Sequence, residues 1–376
     1  MKLYSKTLLS LALTGLTAAA WAGVYPDLPK AFADGGGALI DNTAYIGLGS
    51  AGEQFFSLDL SKQQAQWQTL PDFPAGTRNQ PVVAALEGKL YVFGGLQKDA
   101  QGVLQLVNDA HVFDPVSQTW QRLPTRSPLG LVGAQAFAHQ DKIYFVGGSN
   151  LSIFNGYFQD YSAAGEDKDK QAAVMKAYFN QPSQDYFFNN QVFSYEPATN
   201  QWHNEGITPF AGRAGAAVKI HEGKVYVANG ELKPGLRSDS VELGTFDDKG
   251  QLTWQSLPVL IAGEGQARQE GLAGAYSGHS HGYYLLTGGA NFTGARAQYE
   301  SGKYYAHEGL TRYYDPNVYA LKDGKWQLAG QLPSASGYGV SLNYEDAVIL
   351  FGGKGDGGEI GSVQRLRFDG KNLNID

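Results

Sequence analysis

The most regular feature of the chain is a short run of apolar residues that ends in two glycines. It occurs as LYVFGG at 90–95, IYFVGG at 143–148, YLLTGG at 284–289 and VILFGG at 348–353. A related copy, KVYVANG at 224–230, keeps the strand but has Asn229 in place of the first glycine. Apolar runs of this length, bounded by glycine, are typical of buried β-strands. Their recurrence predicts an architecture built from repeats.

Each of these strands is followed by a second apolar or aromatic strand and, in all units but the last, by a tryptophan, usually near a Leu-Pro pair. Phe113 precedes Trp120 by seven residues, and Tyr195 precedes Trp202 by the same seven. Aligned in this way, the chain divides into six units, of which the first has IGLG at 46–49. Four short strands per unit at a period of about 50 residues are typical of kelch repeats. The pattern therefore predicts an all-β fold, a six-bladed kelch-type β-propeller.

The sixth unit ends without a Trp-Leu-Pro strand, so one strand of the last blade has to come from elsewhere. Near the start of the chain, VYPDLP at 24–29 places Leu28 and Pro29 in phase with the Leu-Pro pairs that end the other units. A strand from this end would close the ring and remove unpaired sheet edges. We therefore expect the N-terminal strand to close the propeller.

Residues 1–22 have the features of a secretory signal peptide. Lys2 and Lys6 precede an apolar run at 8–20, and Ala20-Trp21-Ala22 fits a cleavage site of the small-x-small type. The apolar run is short for a membrane span of about 20 residues. These features predict cleavage before Gly23, export, and a propeller domain comprising residues 23–376.

Composition limits the partners and cofactors. The formal net charge is −7, which becomes −9 once Lys2 and Lys6 are removed, and no Lys/Arg-rich run remains. Neither nucleic acid nor an anionic membrane is an expected partner. The chain has no cysteine, which excludes a thiol nucleophile, Cys-ligated zinc and a copper radical cofactor that needs a Cys-Tyr cross-link.

The longest insertions are predicted to lie on one face of the propeller. In a blade with antiparallel strands a to d, the b–c loop and the d–a link to the next blade share a face. The insertions at 149–190 and 290–314 both follow the glycine pair that ends strand b. Helix-forming residues dominate 165–179, which predicts a partly helical insertion in the third blade. Functional residues commonly lie on loops of a rigid scaffold, so this face is the expected site.

The loop at 229–237, NGELKPGLR, combines a carboxylate with a guanidinium. Glu231 has the chemistry of a general base, and Arg237 offers a planar fork that matches a substrate carboxylate. A solvated charged loop without a chemical role would have the same sequence. The same face carries further candidates for substrate binding, which are Arg78, Asn79, Gln80, Arg213, Arg296, His307 and Glu308. Arginines that converge on one mouth would create the positive field that an anionic ligand needs.

The histidine pattern does not predict a metal site. His279 and His281 lie in GHSHG, at a turn on the opposite face, and a third ligand at a suitable spacing is missing. The chain also lacks a phosphate-binding loop, a nucleophile elbow and a dinucleotide fingerprint. We therefore expect neither a metal nor another cofactor.

Several loop motifs together resemble the N-acetylneuraminate epimerases, the periplasmic sialic-acid mutarotases of bacteria. They are TRNQP at 77–81, NGELKPGLR at 229–237, GGANFTGAR at 288–296, GKYYAHEGL at 302–310 and YGVS at 338–341. The resemblance extends over essentially the whole mature chain. These motifs are much more specific than the kelch pattern, which indicates only the fold.

The resemblance implies an activity, a location and roles for two residues. It implies a periplasmic isomerase that equilibrates the α and β anomers of N-acetylneuraminic acid without a cofactor, with Glu231 as proton acceptor and Arg237 as its partner. It also implies a homodimer. The alternative from the residues alone is a non-enzymatic kelch propeller that binds a sialylated glycan or a protein at the same mouth. A sialidase is disfavoured because the Ser-x-Asp-x-Gly-x-x-Trp boxes of sialidase propellers are absent.

Overall fold

Short apolar strands joined by tight turns form six antiparallel sheets of four strands each, in a computed structural model that describes residues 24–376. The two-residue turns Glu87-Gly88, Glu222-Gly223 and His281-Gly282 have positive φ at both residues. Backbone twist in such turns matches the twist of the flanking strands, which is why they suit hairpins. The predicted six-bladed propeller is confirmed.

Each blade is built from one continuous stretch of chain, with strands a to d in sequence order from the channel outwards. The strands of the first three blades are Gly36–Ile40, Thr43–Gly47, Phe55–Asp59 and Gln68–Thr69; Val82–Leu86, Lys89–Lys98, Leu104–Asp114 and Thr119–Arg126; Gln135–His139, Lys142–Val146, Gln191–Glu196 and Gln201–Ile207. Those of the last three are Ala217–His221, Lys224–Ala228, Val241–Phe246 and Leu252–Leu257; Tyr276–Ser280, Tyr283–Thr287, Asn317–Lys322 and Lys325–Gln331; Val340–Tyr344, Ala347–Phe351, Val363–Phe368 and Leu373–Ile375.

The b–c insertions add small elements above one end of the ring. The third blade carries helices α1, Leu151–Ala163, and α2, Lys168–Phe179. The fifth blade carries α3, Ala295–Glu300. Three small two-stranded sheets pair Glu231–Lys233 with Leu236–Arg237, Ala290–Phe292 with Arg312–Tyr314, and Lys354–Gly355 with Gly358–Glu359; the first and the last are hairpins. The helix expected within 165–179 is confirmed as α2, whereas α1 was not expected.

The hydrophobic core is divided among the seams between neighbouring blades. Tryptophans in or beside the outer strands lie at these seams. The indole N–H groups of Trp67, Trp120 and Trp326 donate to a proline carbonyl in the link before their blade, whereas that of Trp202 donates to Thr125 Oγ1. Trp120 Nε1 donates to the Pro71 carbonyl at 2.9 Å, and Trp326 Nε1 donates to the Pro258 carbonyl at 2.8 Å. Aromatic rings fill the space beneath, so that each blade is wedged against the next.

The expectation of an N-terminal strand is wrong. Residues 24–29 form no strand, and Leu373–Ile375 supplies the fourth strand of the sixth blade by pairing with Val363–Phe368. The last blade is therefore complete without the N-terminal segment. A Leu-Pro pair fits the start of a d–a link as well as the end of a strand, and here it belongs to a link.

Residues 24–35 run as this link between the sixth and the first blade. The Pro26 carbonyl accepts the indole N–H of Trp67 at 3.1 Å, the part that Pro71 plays at the next seam. Leu28 N–H donates to the Gly361 carbonyl at 2.7 Å. Ring closure is thus made by packing and hydrogen bonds of a link.

The predicted signal peptide, residues 1–22, lies outside the described residues. Among residues 24–376, no helix is long and apolar enough to cross a membrane.

Candidate functional site

The six innermost strands surround a cavity of about 480 Å³. Its lining consists largely of glycine, alanine and valine. Among residues 24–376, the charged residues that line it are Asp34, Lys219 and Glu231. A mostly apolar cavity with a few polar groups is the usual form of a small-molecule site.

A ring of six equivalent link residues surrounds the cavity and is called the mouth ring here. Its members are Asp34, Gln80, Gly133, Gly215, Gly274 and Tyr338. All six have left-handed backbones, with φ between 51° and 77°. Around the ring, the N–H groups of five members each donate to the carbonyl of the preceding member at 2.7–2.9 Å. Asp34, Gln80 and Tyr338 hold a conformation that costs a residue with a Cβ about 1–2 kcal/mol.

Asn229 explains why one repeat departs from the glycine pair. Its φ is 58°, close to the 56° of the equivalent Gly94, so the left-handed turn is kept. Its side chain accepts from Leu272 N–H at 3.1 Å and donates to the Ser240 carbonyl at 3.3 Å. Asparagine tolerates this conformation better than most residues and here ties the turn to its neighbours.

The backbone of Glu231 is fixed where the loop leaves the blade. Its N–H and carbonyl both bond to Ala214, at 2.7 and 3.0 Å. Ala214 lies next to Gly215 of the mouth ring. Glu231 is therefore held at the wall of the cavity by the inner part of its own blade.

Arg237 lies directly across the hairpin from Glu231. Its Nη2 is 2.7 Å from Glu231 Oε1, and the two side chains are 2% and 24% exposed respectively. Arg237 Nε donates to the Ala290 carbonyl at 3.2 Å, and the guanidinium lies 4.9 Å from the centre of the Phe292 ring. Arg237 Nη1 is buried and has no hydrogen-bond partner among residues 24–376. The pair thus joins a fixed cation to a carboxylate that reaches the cavity.

Sequence reasoning missed Tyr338 and Arg312. Tyr338 lines the cavity, and burial raises the pKa of its phenol, although the charge of Arg237 acts in the opposite direction. Arg312 lies 5.9 Å from the centre of the Phe292 ring, which it shares with Arg237. Tyr338 begins the YGVS motif, and Arg312 lies within the 290–314 insertion. Neither had a spacing that linked it to Glu231, because the fold brings them from other blades.

Arg78 and Arg213 were expected to converge on the mouth of the cavity, but neither is among the residues that line it. Arg78 Nη2 binds Asp109 Oδ2 at 2.6 Å, and the arginine is 2% exposed. Arg213, also 2% exposed, donates to Ser240 Oγ at 3.0 Å and lies 3.5 Å from Glu242. Burial lowers the pKa of both guanidinium groups, opposed by the paired carboxylates. Each of these arginines ties its link to the third strand of the blade that follows.

The remaining residues of the two links differ in position. Asn79 is exposed, and its backbone pairs with Leu96. Gln80 lines the cavity as a member of the mouth ring.

The candidates in the fifth-blade insertion lie around the hairpin instead of inside the cavity. Arg296 Nη2 pairs with Asp239 at 3.1 Å. His307 Nδ1 lies 3.2 Å from the Pro234 carbonyl, and burial, together with the charge of Arg237, lowers the pKa of His307 to about 4. Glu308 is exposed. His307 therefore supports the loop that carries Glu231 and Arg237, as a neutral group.

Lys233 connects the insertions above the site. It is fully buried, and its Nζ donates to the Phe179 carbonyl at 2.7 Å and to the Tyr304 carbonyl at 2.6 Å. Burial lowers the pKa of Lys233 to about 8. One side chain thus joins the end of α2, the hairpin of the fourth blade and the insertion of the fifth.

Among residues 24–376, no group of three or more potential metal ligands comes together. His279 stacks on His221 with ring centres 4.1 Å apart, whereas His281 pairs with Asp346 at 3.2 Å.

Comparison with known proteins gives consistent results. A family model described as N-acetylneuraminate epimerase matches residues 25–375. An N-acetylneuraminate epimerase of Haemophilus influenzae (strain 86-028NP) is 52% identical over 377 residues, with 100% of both chains covered. That of Pasteurella multocida (strain Pm70) is 48% identical, covering 99% of this chain and 100% of the relative. A solved structure described as "Structure of YjhT" has a TM-score of 0.89 and 37% identity, covering 94% of this chain and 99% of that one.

Proposed function

Because this chain belongs to the N-acetylneuraminate epimerase family, we propose that Glu231 is the base that opens and recloses the ring of its sugar substrate. The enzyme is an isomerase that acts on N-acetylneuraminic acid and interconverts its α and β anomers. The observation that supports the proposal is the Glu231–Arg237 pair, 2.7 Å apart, at the wall of the central cavity.

The reaction requires two proton transfers and one reversible bond cleavage. Glu231 takes the proton of the anomeric hydroxyl as the bond between the anomeric carbon and the ring oxygen breaks. The ring oxygen receives a proton, which leaves an open-chain keto acid. Rotation of the carbonyl and attack by the same hydroxyl on its other face give the second anomer, and the proton returns from Glu231. A positioned acid or base commonly contributes 10²–10⁴-fold.

The substrate carboxylate needs a cation near Glu231, and Arg237 meets this requirement. Its Nη1 has no hydrogen-bond partner among the described residues, although Nη2 is already paired. Arg312, above the same Phe292 ring, adds a second positive charge at this side of the mouth. A fork of N–H donors fits a carboxylate and fixes the orientation of the sugar.

Tyr338 is the candidate proton donor to the ring oxygen. It lines the same cavity as Glu231, and its raised pKa keeps the phenol protonated near neutral pH. A neutral phenol has one O–H to give and can take it back when the ring closes. Glu231 would then act on the anomeric oxygen, and Tyr338 on the ring oxygen.

The central test is Glu231→Gln, which keeps the shape of the side chain and removes its basicity. We expect the acceleration of anomer exchange to fall at least about 100-fold, because the general base is lost. Exchange NMR of the separate C3-proton signals at anomeric equilibrium measures this rate. Glu359→Gln, which changes an exposed carboxylate on the insertion of the sixth blade, should keep the wild-type rate. Full activity of a folded Glu231→Gln protein would remove Glu231 from this role.

A further inference from the structure

Two aromatic rings from the third-blade insertion form part of the cavity wall. Phe154, on α1, and Phe188 both line the cavity that Glu231 lines. Their rings are nearly parallel, with centres 6.0 Å apart and planes 2° apart. Tyr186 packs edge-on against both rings, at 6.1 Å from Phe154 and 5.1 Å from Phe188. Phe154 and Phe188 are called the aromatic wall below.

The aromatic wall is anchored on both sides. Asn155, which follows Phe154, accepts from Leu106 N–H at 2.7 Å and donates to the Leu106 carbonyl at 3.1 Å. Phe188 pairs through its backbone with Ser149, which forms another bridge to Gly130. Because both supports belong to the scaffold of the second and third blades, the two rings are held in place before any ligand binds.

The aromatic wall has apolar cavity-lining residues on one side and Tyr186, near Glu231, on the other. Val132 and Ala134 continue the cavity lining from the third blade. Tyr186 is buried, and burial together with the nearby charge of Glu231 raises the pKa of its phenol. The wall is therefore an apolar corner of the cavity that Glu231 also lines.

The substrate has one small apolar group that matches this corner. N-acetylneuraminic acid carries hydroxyls and a carboxylate on most of its carbons, but its acylamino group ends in a methyl. That group stands across the pyranose ring from the anomeric carbon. With the anomeric hydroxyl at Glu231, the methyl lies on the far side of the sugar ring from Glu231 and points towards a different part of the cavity.

We propose that Phe154 and Phe188 bind the methyl of the N-acyl group. They would thereby select the N-acetylated sugar over sugars that carry a hydroxyl on the acyl group or in place of it. The assignment rests on the proposed function of Glu231. An apolar pocket distinguishes substrates that differ by one methylene by about 10–200-fold. A hydroxyl at this place would lose its water without gaining a hydrogen bond from either ring.

The test compares three nonulosonic acids by exchange NMR over a range of concentrations. They carry an N-acetyl group, an N-glycolyl group or a hydroxyl at the same carbon. We expect wild-type kcat/KM to favour the N-acetyl sugar over the hydroxyl sugar at least about tenfold. Phe154→Ala and Phe188→Ala should raise KM for the N-acetyl sugar, affect the hydroxyl sugar by a smaller factor, and so reduce this ratio.

Two controls separate binding from folding. Phe154→Leu keeps an apolar side chain at the wall and should restore most of the preference. Phe158→Ala removes a ring from the same helix outside the cavity lining and should leave the ratio unchanged. Equal wild-type rates on all three sugars, or an unchanged ratio in both alanine variants, would overturn the proposal. Acceleration of none of the sugars would instead overturn the proposed function.

Discussion

At Tyr338 the backbone and the side chain serve different purposes. The residue has φ of 61°, its N–H donates to the Gly274 carbonyl at 2.7 Å, and its carbonyl accepts from Asp34 N–H at 2.8 Å. A Cβ on Gly274 would lie 2.5 Å from the Tyr338 ring, so only glycine leaves room for the ring there. An unfavourable conformation that its neighbours enforce is a common property of functional positions.

Tyr338→Phe tests whether this position supplies a proton. The variant keeps the ring and the backbone contacts but removes the O–H. We expect kcat to fall about 10–100-fold with a smaller change in KM, because a general acid acts mainly in the transition state. The measurement is exchange NMR under saturating sugar. Tyr344→Phe, on the inner strand of the same blade and outside the cavity lining, is the matched control. If Tyr338→Phe keeps the wild-type kcat, Tyr338 is not the proton donor to the ring oxygen, and water takes that role.

The pairing of Glu231 with Arg237 could be predicted from the sequence better than the positions of the side chains around them. Glu231 and Arg237 stood out because one repeat changed its glycine pair at the very turn that presents them. Arg78 and Arg213 could be assigned to the correct links, but their side chains pair with carboxylates of the blades that follow. Spacing cannot tell a guanidinium that faces a cavity from one that pairs with a buried carboxylate, since both lie on the same link.

Among the elements, the insertions depend on Lys233 for their mutual position. The amine binds the Phe179 carbonyl, in the last turn of α2, and the Tyr304 carbonyl of the fifth-blade insertion. Asn180 Oδ1, just after α2, also accepts from Tyr305 N–H at 3.2 Å. The aromatic wall lies on the same insertion as α2. The position of the wall relative to Glu231 is therefore linked to this one buried amine.

Lys233→Met keeps most of the side-chain volume and removes both hydrogen bonds. We expect KM to rise more than kcat falls, because the insertions loosen while Glu231 and Arg237 keep their hairpin. Hydrogen exchange should accelerate in α2 and near Tyr304. Lys176→Met, on the exposed side of α2, provides the control. A fall confined to kcat would mean that Lys233 acts on the chemistry instead.

Lys233→Met also tests how Lys233 makes the stability of the protein depend on pH. The pKa of Lys233 is about 8 in the folded protein, below its ordinary value of 10.5. Between these values the unfolded chain holds a proton that the folded protein has released, so this residue makes stability rise with pH. The free energy of unfolding of wild type minus that of Lys233→Met should grow by about 2 kcal/mol from pH 8 to 10. Urea unfolding measures both proteins, and a constant difference would contradict the lowered pKa.

Helix α2 was predicted from its composition, but α1 was not. The segment of α1, LSIFNGYFQDYSA, contains Gly156 and several aromatic residues, which are poor signals for a helix. Packing against the second blade and the Asn150 cap, whose Oδ1 accepts from Ile153 N–H at 3.0 Å, stabilise it. Tertiary contacts of this kind cannot be read from local sequence.

At the scale of the whole molecule, the seam between the sixth and the first blade is closed without a strand that crosses it. Phe32 is 1% exposed and packs in one cluster with Ile46 of the first blade and Phe351 of the sixth. Its carbonyl accepts from Gly353 N–H at 2.8 Å. The repeats predicted the ring of blades. A Leu-Pro pair occurs both at the end of a strand and at the start of a link, so the closure of the ring was assigned wrongly to a strand.

Phe32→Ala tests this closure against an equivalent seam. We expect a loss of about 3–5 kcal/mol in the free energy of unfolding, because a buried phenylalanine is removed. Hydrogen exchange should accelerate in the first and sixth blades. In Phe73→Ala, which empties the matching place between the first two blades, the faster exchange should appear in those two blades. Faster exchange spread evenly over the ring in both variants would show that the seams do not open separately.

The mouth ring also determines the symmetry of the site. Six similar blades would offer a ligand six equivalent orientations. Tyr338, Asp34 and Gln80 occupy three consecutive places around the ring, and Gly133, Gly215 and Gly274 occupy the other three. One half of the entrance therefore carries side chains, and the other half is bare backbone beneath the carboxylate and the aromatic wall. The opening of a pseudo-sixfold scaffold thereby loses its rotational symmetry, and its two unlike halves offer an asymmetric sugar one matching orientation instead of six.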